Sequence, residues 1–240
     1  MPSRPNVKKF IIAIDGPAGS GKSTTARLLA QRLKLPYIDT GAMYRAITLK
    51  AMREGAPLDD SKKFVAVAKK ASIRLVGPPE KQKVFLDGKN VTQAIREPEL
   101  TRNVFHVAEE AGIRREMVKK QRSMGKDGGA VMEGRDIGTK VFPKADYKFY
   151  FEADEALRAK RRLRELVAAG KAASFQKVFK DLKVRDNSDY KRKEGPLRKA
   201  KDAFVIDTTP LTIEETADKM LAIIQSNSLD GRRLKAHRGW

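Results

Sequence analysis

The chain has 240 residues, with 51 lysines and arginines against 30 aspartates and glutamates, which gives a formal net charge of +21. Although 40% of the residues are hydrophobic, no segment approaches the roughly 18 to 20 apolar residues of a membrane span, and the N-terminus lacks the apolar run of a signal peptide. The absence of cysteine excludes disulfides and thiolate metal sites, and the presence of only two histidines excludes a histidine-cluster metal site. We therefore expect a soluble, cytoplasmic protein that attracts polyanions.

The first predicted elements are a strand over residues 10–14, a glycine-rich loop and a helix from about residue 22. The loop matches G-x-x-x-x-G-K-[ST]. Its glycines let backbone N–H groups surround phosphate oxygens, a lysine reaches the β- and γ-phosphates, and a hydroxyl can ligate Mg²⁺. A glycine-rich turn without a ligand is the disfavoured alternative, because strand, loop and helix follow in the required order. The predicted triphosphate-binding residues are Gly16, Pro17, Ala18, Gly19, Ser20, Gly21, Lys22, Ser23 and Thr24, with Ser23 as the metal ligand.

A second short strand is predicted to end at a turn over residues 39–41, followed by two helices, the second capped within residues 59–61. Residues 73–76 and 83–86 flank a Gly-Pro-Pro turn and predict two or three short antiparallel strands. These strands interrupt an otherwise alternating strand-helix pattern. We therefore predict a small insert over residues 66–107.

The alternating pattern resumes with a helix over residues 107–123. Further strands are predicted at residues 130–132, 147–151 and 203–206, and a capping box of Thr212 with Glu215 begins the last helix. This pattern predicts an α/β fold, with a five-stranded parallel sheet, helices on both faces and ligands at the carboxyl ends of the strands.

The basic residues concentrate between Arg158 and Lys201, where 16 lysines and arginines face five acidic residues. We predict that this stretch is a basic helical lid, roughly residues 158–200, that closes over phosphates. The predicted division is a core of residues 1–65 and 108–228, the insert of residues 66–107 and a basic tail of residues 229–240.

Charged residues follow the predicted strands at the edge where a ligand is expected. Arg45, after the second strand, can pair with an acceptor phosphate, or it can be an ordinary surface arginine. Arg135 and Asp136, after the third strand, lie between two glycines. Asp136 can accept from a base amino group, and a structural salt bridge is the alternative.

The basic segment places Arg185, Asp189 and Arg192 at helical spacing, which by itself is typical of a solvated helix face. The preceding Arg161 and Arg162 favour a functional interpretation, because phosphoryl transfer needs several cations around the moving group. Arg114 is the weakest candidate when taken alone.

These motifs closely resemble those of bacterial cytidylate kinases, P-loop kinases that phosphorylate CMP and dCMP with ATP. The matching stretches are residues 14–23, 39–45, 85–88, 91–92, 95–96, 134–139, 141–143, 185–186, 189, 196–197 and 207–209. The resemblance implies ATP and Mg²⁺ as cofactors, CMP or dCMP as the acceptor, and an acceptor-nucleotide domain in the antiparallel insert.

The resemblance also implies roles for individual residues. It places Thr40, Arg45 and Arg135 at the acceptor phosphate, Asp136 and Arg114 at the cytosine end, and Arg185 and Asp189 at the sugar. Arg192, Arg161 and Arg162 match the closing lid. Together with Lys22 and Arg135, these three are the predicted catalytic residues.

The chain departs from the family pattern at two positions. Phe105 stands where the family commonly has a serine near the base, and Glu133 stands where aspartate is usual. The first departure leaves the choice between CMP and UMP open, with His106 as a candidate substitute donor.

Two alternative functions remain open from the sequence. One is a related kinase that acts on UMP or a non-nucleotide acceptor, and the other is a nucleic-acid-binding ATPase. We expect a monomer whose contacts with nucleic acid are non-specific.

Overall fold

The computed structural model describes residues 10–56, 60–126 and 129–229. The strands in chain order are β1 (Ile11–Asp15), β2 (Tyr37–Asp39), β3 (Ile73–Val76), β4 (Lys83–Leu86), β5 (Lys89–Asn90), β6 (Ala130–Gly134), β7 (Tyr147–Glu152) and β8 (Phe204–Asp207). The helices are α1 (Lys22–Leu33), α2 (Thr40–Arg53), α3 (Ser61–Lys70), α4 (Pro98–Glu109), α5 (Ala111–Gly125), α6 (Glu155–Ala168), α7 (Phe175–Lys191) and α8 (Ile213–Leu229).

The main sheet has five strands in the order β2-β6-β1-β7-β8, and all its pairings are parallel. Asp15 pairs in register with Gly134, and Asp39 with Glu133, so β1, β2 and β6 end at the same level. The loops after these strands therefore meet at one edge. The predicted five-stranded parallel sheet is confirmed.

Helices cover both faces of this sheet, because successive side chains of a strand point to opposite sides. Ala13 of β1 lies in a hydrophobic cluster with Met43 and Ile47 of α2. Its neighbours Ile12 and Ile14 lie in a second cluster with residues of α1 and α8. Each fully buried isoleucine or methionine side chain contributes about 1.5–3 kcal/mol to stability.

A second sheet of three antiparallel strands, β3-β4-β5, confirms the predicted antiparallel insert. The predicted limits at residues 66 and 107 fall inside α3 and α4. The single helix predicted over residues 107–123 is wrong, because α4 and α5 are separated at Glu110. The backbone of Glu110 is extended, and its carboxylate accepts from the Gly112 N–H at 2.9 Å, which caps α5.

Helices α6 and α7 form a helical hairpin, here called the α6–α7 hairpin, that begins at the predicted cap Asp154. Ala159, Val178 and Leu182 form its small apolar core together with Ala18 of the glycine-rich loop. Within the ranges given above, none of the helices combines the length and apolar character needed to cross a bilayer. Asp59 and the predicted tail beyond Leu229 lie outside the described residues.

Candidate active site

The phosphate-binding loop (residues 16–21) connects β1 to the N-terminus of α1. Gly16 has φ 150°, and a Cβ there would lie 2.5 Å from the carbonyl oxygen of Phe151 in β7. Gly19 has φ 75°, and its Cβ would lie 2.9 Å from the carbonyl oxygen of Arg158. Only glycine therefore fits at these two positions. The loop brings backbone N–H groups to a helix N-terminus, which is a favourable environment for an anion.

Lys22, the first residue of α1, is 4% exposed and folds back over this loop. Its Nζ donates to the Pro17 carbonyl at 2.6 Å and to the Ser20 hydroxyl at 3.3 Å. Burial, reinforced by the charge of Arg135, lowers the pKa of Lys22 to about 7. A polyphosphate would offer this ammonium group a stronger partner than a neutral carbonyl.

Asp15, the last residue of β1, ties the loop to the segment after β6. Its two carboxylate oxygens accept from the N–H groups of Ile137 at 2.8 Å and Gly138 at 2.7 Å, in a five-residue helical turn. Burial raises the pKa of this carboxyl to about 7. Sequence analysis did not predict a role for Asp15, because the turn that it holds lies more than a hundred residues away. By fixing this turn, Asp15 supports the adjacent Arg135 and Asp136.

Five charged residues from three separate segments converge here and are called the charged cluster: Arg114, Arg135, Asp136, Asp189 and Arg192. Asp136 forms a buried ion pair with Arg114, and its other oxygen lies 3.8 Å from Nη2 of Arg192. Asp189 accepts from Nε of Arg135 at 2.6 Å and from Nη1 of Arg192 at 2.9 Å. Burial would raise the pKa of Asp189, but the surrounding arginines hold it below its ordinary value. The structure thus brings these predicted residues together.

Positive charge is in excess beside this cluster. Burial, followed by the charge of Arg135, lowers the pKa of Arg185 to about 10. Arg185 has no ion-pair partner among the described residues. Arg45 reaches Asp39 only at 3.5 Å, and its buried Nε has no described acceptor. These guanidinium groups are suited to receive an anion.

Helix α2 positions Arg45 and Thr40. The predicted turn over residues 39–41 is instead the first turn of this helix, because the Asp39 carboxylate caps it by accepting from the Ala42 N–H at 2.7 Å. The Thr40 hydroxyl donates to the Glu133 carbonyl at 2.7 Å, which joins the ends of β2 and β6. Glu133, the second departure from the family pattern, accepts from the Tyr37 hydroxyl at 2.9 Å.

A cleft of about 550 Å³ runs from the phosphate-binding loop to the charged cluster. Most of the predicted site residues line it: Ala18, Gly19, Gly21, Lys22, Ser23, Thr24, Thr40, Arg45, Arg114, Arg135, Asp136, Arg162, Arg185, Asp189 and Arg192. Gly16, Pro17, Ser20 and Arg161 are not among the described residues that line it. Arg161 donates to the Thr208 hydroxyl at 3.1 Å and the Thr208 carbonyl at 2.7 Å, outside the loop.

The cleft also contains residues that the sequence did not single out. Tyr44 is buried under the guanidinium of Arg114, 5.7 Å from the ring centre, and burial raises its pKa to about 12. Arg96 lies in the insert, and Lys171 lies in the connection between α6 and α7. The Lys171 ammonium donates to the Arg96 carbonyl at 2.9 Å. The side chains of Phe105 and His106 lie outside the described part of α4.

Known proteins are similar to this chain over nearly its whole length. The family model "Cytidylate kinase" matches residues 12–226. The cytidylate kinase of Bacillus subtilis is 46% identical over 221 residues, which cover 92% of this chain and 99% of that protein. A bifunctional pantoate ligase/cytidylate kinase of Synechococcus is 47% identical over 219 residues, and these cover 90% of this chain but 40% of that longer protein.

A solved structure of an uncharacterized protein from Eubacterium ventriosum has a TM-score of 0.52 and 14% identity, covering 91% of this chain and 99% of that one. This likeness concerns the fold alone. The family match extends over nearly the whole described chain and includes both the loop and the charged cluster. The chain belongs to the cytidylate kinase family.

Proposed function

We propose that this protein transfers the γ-phosphoryl group of ATP to the 5′-phosphate of CMP or dCMP, giving ADP and CDP or dCDP. The observation that carries the proposal is the cleft that joins the phosphate-binding loop to a cluster of arginines and aspartates. A loop alone would indicate triphosphate binding. The second charged end of the same cleft supplies a place for an anionic acceptor.

The proposed mechanism needs no dedicated general base, because the acceptor phosphate is already a charged nucleophile near neutral pH. Catalysis would consist of positioning and charge neutralisation. Lys22 would hold the phosphates of ATP, while Arg135, Arg162 and Arg192 neutralise the charge of the moving group. Arg161 would act beside the loop, through its contacts with Thr208.

For the acceptor, we propose that Thr40, Arg45 and Arg135 bind the phosphate. Asp136, oriented by Arg114, would accept from the cytosine amino group, and Arg185 with Asp189 would face the sugar. Residues 66–107 would form the acceptor-nucleotide domain, in a core of residues 1–65 and 108–228 with the lid at roughly 158–200. Arg96 and Val104 support this division, because both line the cleft.

Mg²⁺ fits the chemistry of the loop. Ser23 presents a hydroxyl oxygen in the first turn of α1, and it lines the cleft next to Lys22. Hydroxyl and phosphate oxygens are hard ligands of the kind that Mg²⁺ prefers. When bound, the ion would neutralise phosphate charge. We further propose that the protein acts as a monomer in the cytoplasm, and that its positive charge gives only non-specific contact with nucleic acid.

The lowered pKa of Lys22 predicts that ATP binds more weakly as the pH rises. Since burial lowers the pKa of this lysine to about 7, it is mostly neutral at about pH 8.5, and the negative phosphates would raise its pKa again. ATP binding then takes up close to one proton, and affinity falls by up to about tenfold per pH unit between about pH 7.5 and pH 9.5.

Isothermal calorimetry in two buffers with different protonation enthalpies measures this proton uptake directly. The Lys22→Met variant is the control, because its side chain cannot take up a proton. An ATP affinity that is independent of pH across this range would contradict the assignment of the ammonium group to the phosphates.

An acceptor panel tests the function itself. ADP release is measured by a coupled assay with CMP, dCMP, UMP, AMP and shikimate as acceptors. We expect CMP and dCMP to support turnover and AMP and shikimate to give only background. Preferred use of UMP or shikimate would favour a related kinase with another acceptor, and RNA binding without transfer to CMP would favour a nucleic-acid-binding ATPase.

A further inference from the structure

Arg158, in the first turn of α6, is buried beneath the phosphate-binding loop. Its Nη1 donates to the carbonyl of Ala18 at 3.0 Å, and its Nε donates to the carbonyl of Ala153 at 3.2 Å. The same Nη1 forms a buried ion pair with Asp186 of α7. One guanidinium group therefore connects the loop, the start of α6 and the middle of α7.

Packing reinforces these polar contacts. The methyl group of Ala18 belongs to the apolar core of the α6–α7 hairpin, with Ala159, Val178 and Leu182. Gly19 contacts the backbone of Arg158 so closely that a Cβ would lie 2.9 Å from its carbonyl oxygen. The loop and the hairpin thus form one packed unit, and Arg158 lies at its centre.

The hairpin also carries Arg162, Arg185 and Asp189, which line the same cleft as the loop. A restraint between the loop and the hairpin therefore sets the distance between the group that holds the ATP phosphates and the cations that face the acceptor. Phosphoryl transfer is sensitive to this distance, because misplacing a group by about 1 Å can cost about 100-fold in rate.

Folding stability alone explains the ion pair poorly. The second oxygen of Asp186 is buried without a hydrogen-bond partner among the described residues, so the pair is incompletely satisfied. Replacing a buried ion pair by apolar side chains of similar size is often neutral or stabilising. A variant in which apolar side chains replace the pair is therefore expected to fold. A loss of activity in that variant would then indicate a positional role and not a structural one.

We propose that Arg158 is a positioning residue, which with Asp186 holds the Ala18 carbonyl of the phosphate-binding loop against the α6–α7 hairpin. The proposal rests on the phosphoryl transfer proposed above. Arg158 is not among the described residues that line the cleft. It acts by keeping the loop in the conformation that binds ATP and aligned with the arginines of the hairpin.

The test compares three variants with the wild-type protein. Arg158→Met/Asp186→Leu removes the tether and leaves no buried charge unpaired. Arg158→Lys keeps the charge opposite Asp186 but loses the fork that reaches two carbonyls at once. Arg164→Met, at an exposed position of the same helix, is the matched control. Each variant is assayed for thermal midpoint, for binding of ATP alone and of CMP alone by calorimetry, and for kcat.

We expect the double variant to melt within a few degrees of wild type. Its kcat should fall by about 10- to 100-fold, with a weaker affinity for ATP and an affinity for CMP unchanged within about twofold. Arg158→Lys should weaken ATP binding by roughly two- to tenfold, in line with the loss of one or two hydrogen bonds. Arg164→Met should match wild type in every measurement.

A folded double variant with wild-type kcat and ATP affinity would overturn the proposal. If the double variant does not fold, Arg158→Lys decides, and wild-type ATP affinity in that variant would overturn it equally. A wild-type protein that binds ATP but does not phosphorylate CMP would refute the proposed function. The ATP-binding comparison would still test the tether in that case.

Discussion

Lys22→Ala is expected to lower kcat for CMP phosphorylation by about 100- to 1000-fold, the usual effect of removing one preorganised charge from a reacting centre. Lys22 is buried beside the phosphate-binding loop, and the hydrogen-bond partners of its Nζ among the described residues are a neutral carbonyl and a hydroxyl. Phosphate would therefore be a stronger partner for this lysine than either of these groups, and phosphate binding would favour its charged form. A coupled assay for ADP release, at saturating ATP and CMP, measures the loss.

Lys219→Ala is the control for this experiment, because Lys219 is exposed on α8 and does not line the cleft. Its kcat should equal that of wild type. A wild-type rate for Lys22→Ala, in a variant that melts at the wild-type temperature, would remove the basis for the proposed mechanism.

Asp136→Asn is expected to raise the KM for CMP by about 10- to 100-fold, since a hydrogen bond to a charged group is worth about 1.5–3 kcal/mol. ATP binding should change little, because Asp136 lies in the charged cluster and not in the loop. The asparagine is preferred to alanine as the test. Alanine would leave the buried Arg114 without its ion-pair partner, at a cost of about 3–5 kcal/mol in stability.

Steady-state kinetics with CMP varied at saturating ATP measures the effect, and calorimetry with ATP alone supplies the comparison. Asp181→Asn, at an exposed position of α7, makes the same chemical change away from the cleft. An unchanged KM for CMP in Asp136→Asn would remove this carboxylate from the proposed acceptor site.

The parts of the fold that the sequence predicted are those encoded locally. The loop motif lies between an apolar strand and a helical pattern. Thr212 and Glu215 form the predicted capping box, in which the Thr212 hydroxyl donates to the Glu215 carboxylate at 2.9 Å. The break between α4 and α5 was missed because no proline marks it, and the nearby Gly112 lies inside the first turn of α5 and not at the break. Glu110 instead ends one helix and caps the next with its own side chain.

The site was harder to predict because its contacts join distant parts of the chain. Asp136 pairs with Arg114, 22 positions away, and Arg135 pairs with Asp189, 54 positions away. Neither the spacing nor a helical face in the sequence shows these partners. The family resemblance named the residues that the structure brings together in the charged cluster, but it did not give their mutual contacts. Asp15 and Arg158 were not predicted as site residues, since their contacts are with backbone groups that tertiary packing brings to them.

Transfer to CMP is tested most directly by following the phosphoryl group itself. The protein is incubated with ATP labelled in the γ-phosphate, Mg²⁺ and CMP, and the products are separated by chromatography. We expect the label to appear in the β-phosphate of CDP, with one ADP formed for each CDP. Label released as inorganic phosphate without CDP would contradict it, because the loop would then deliver the phosphoryl group to water and not to a second nucleotide.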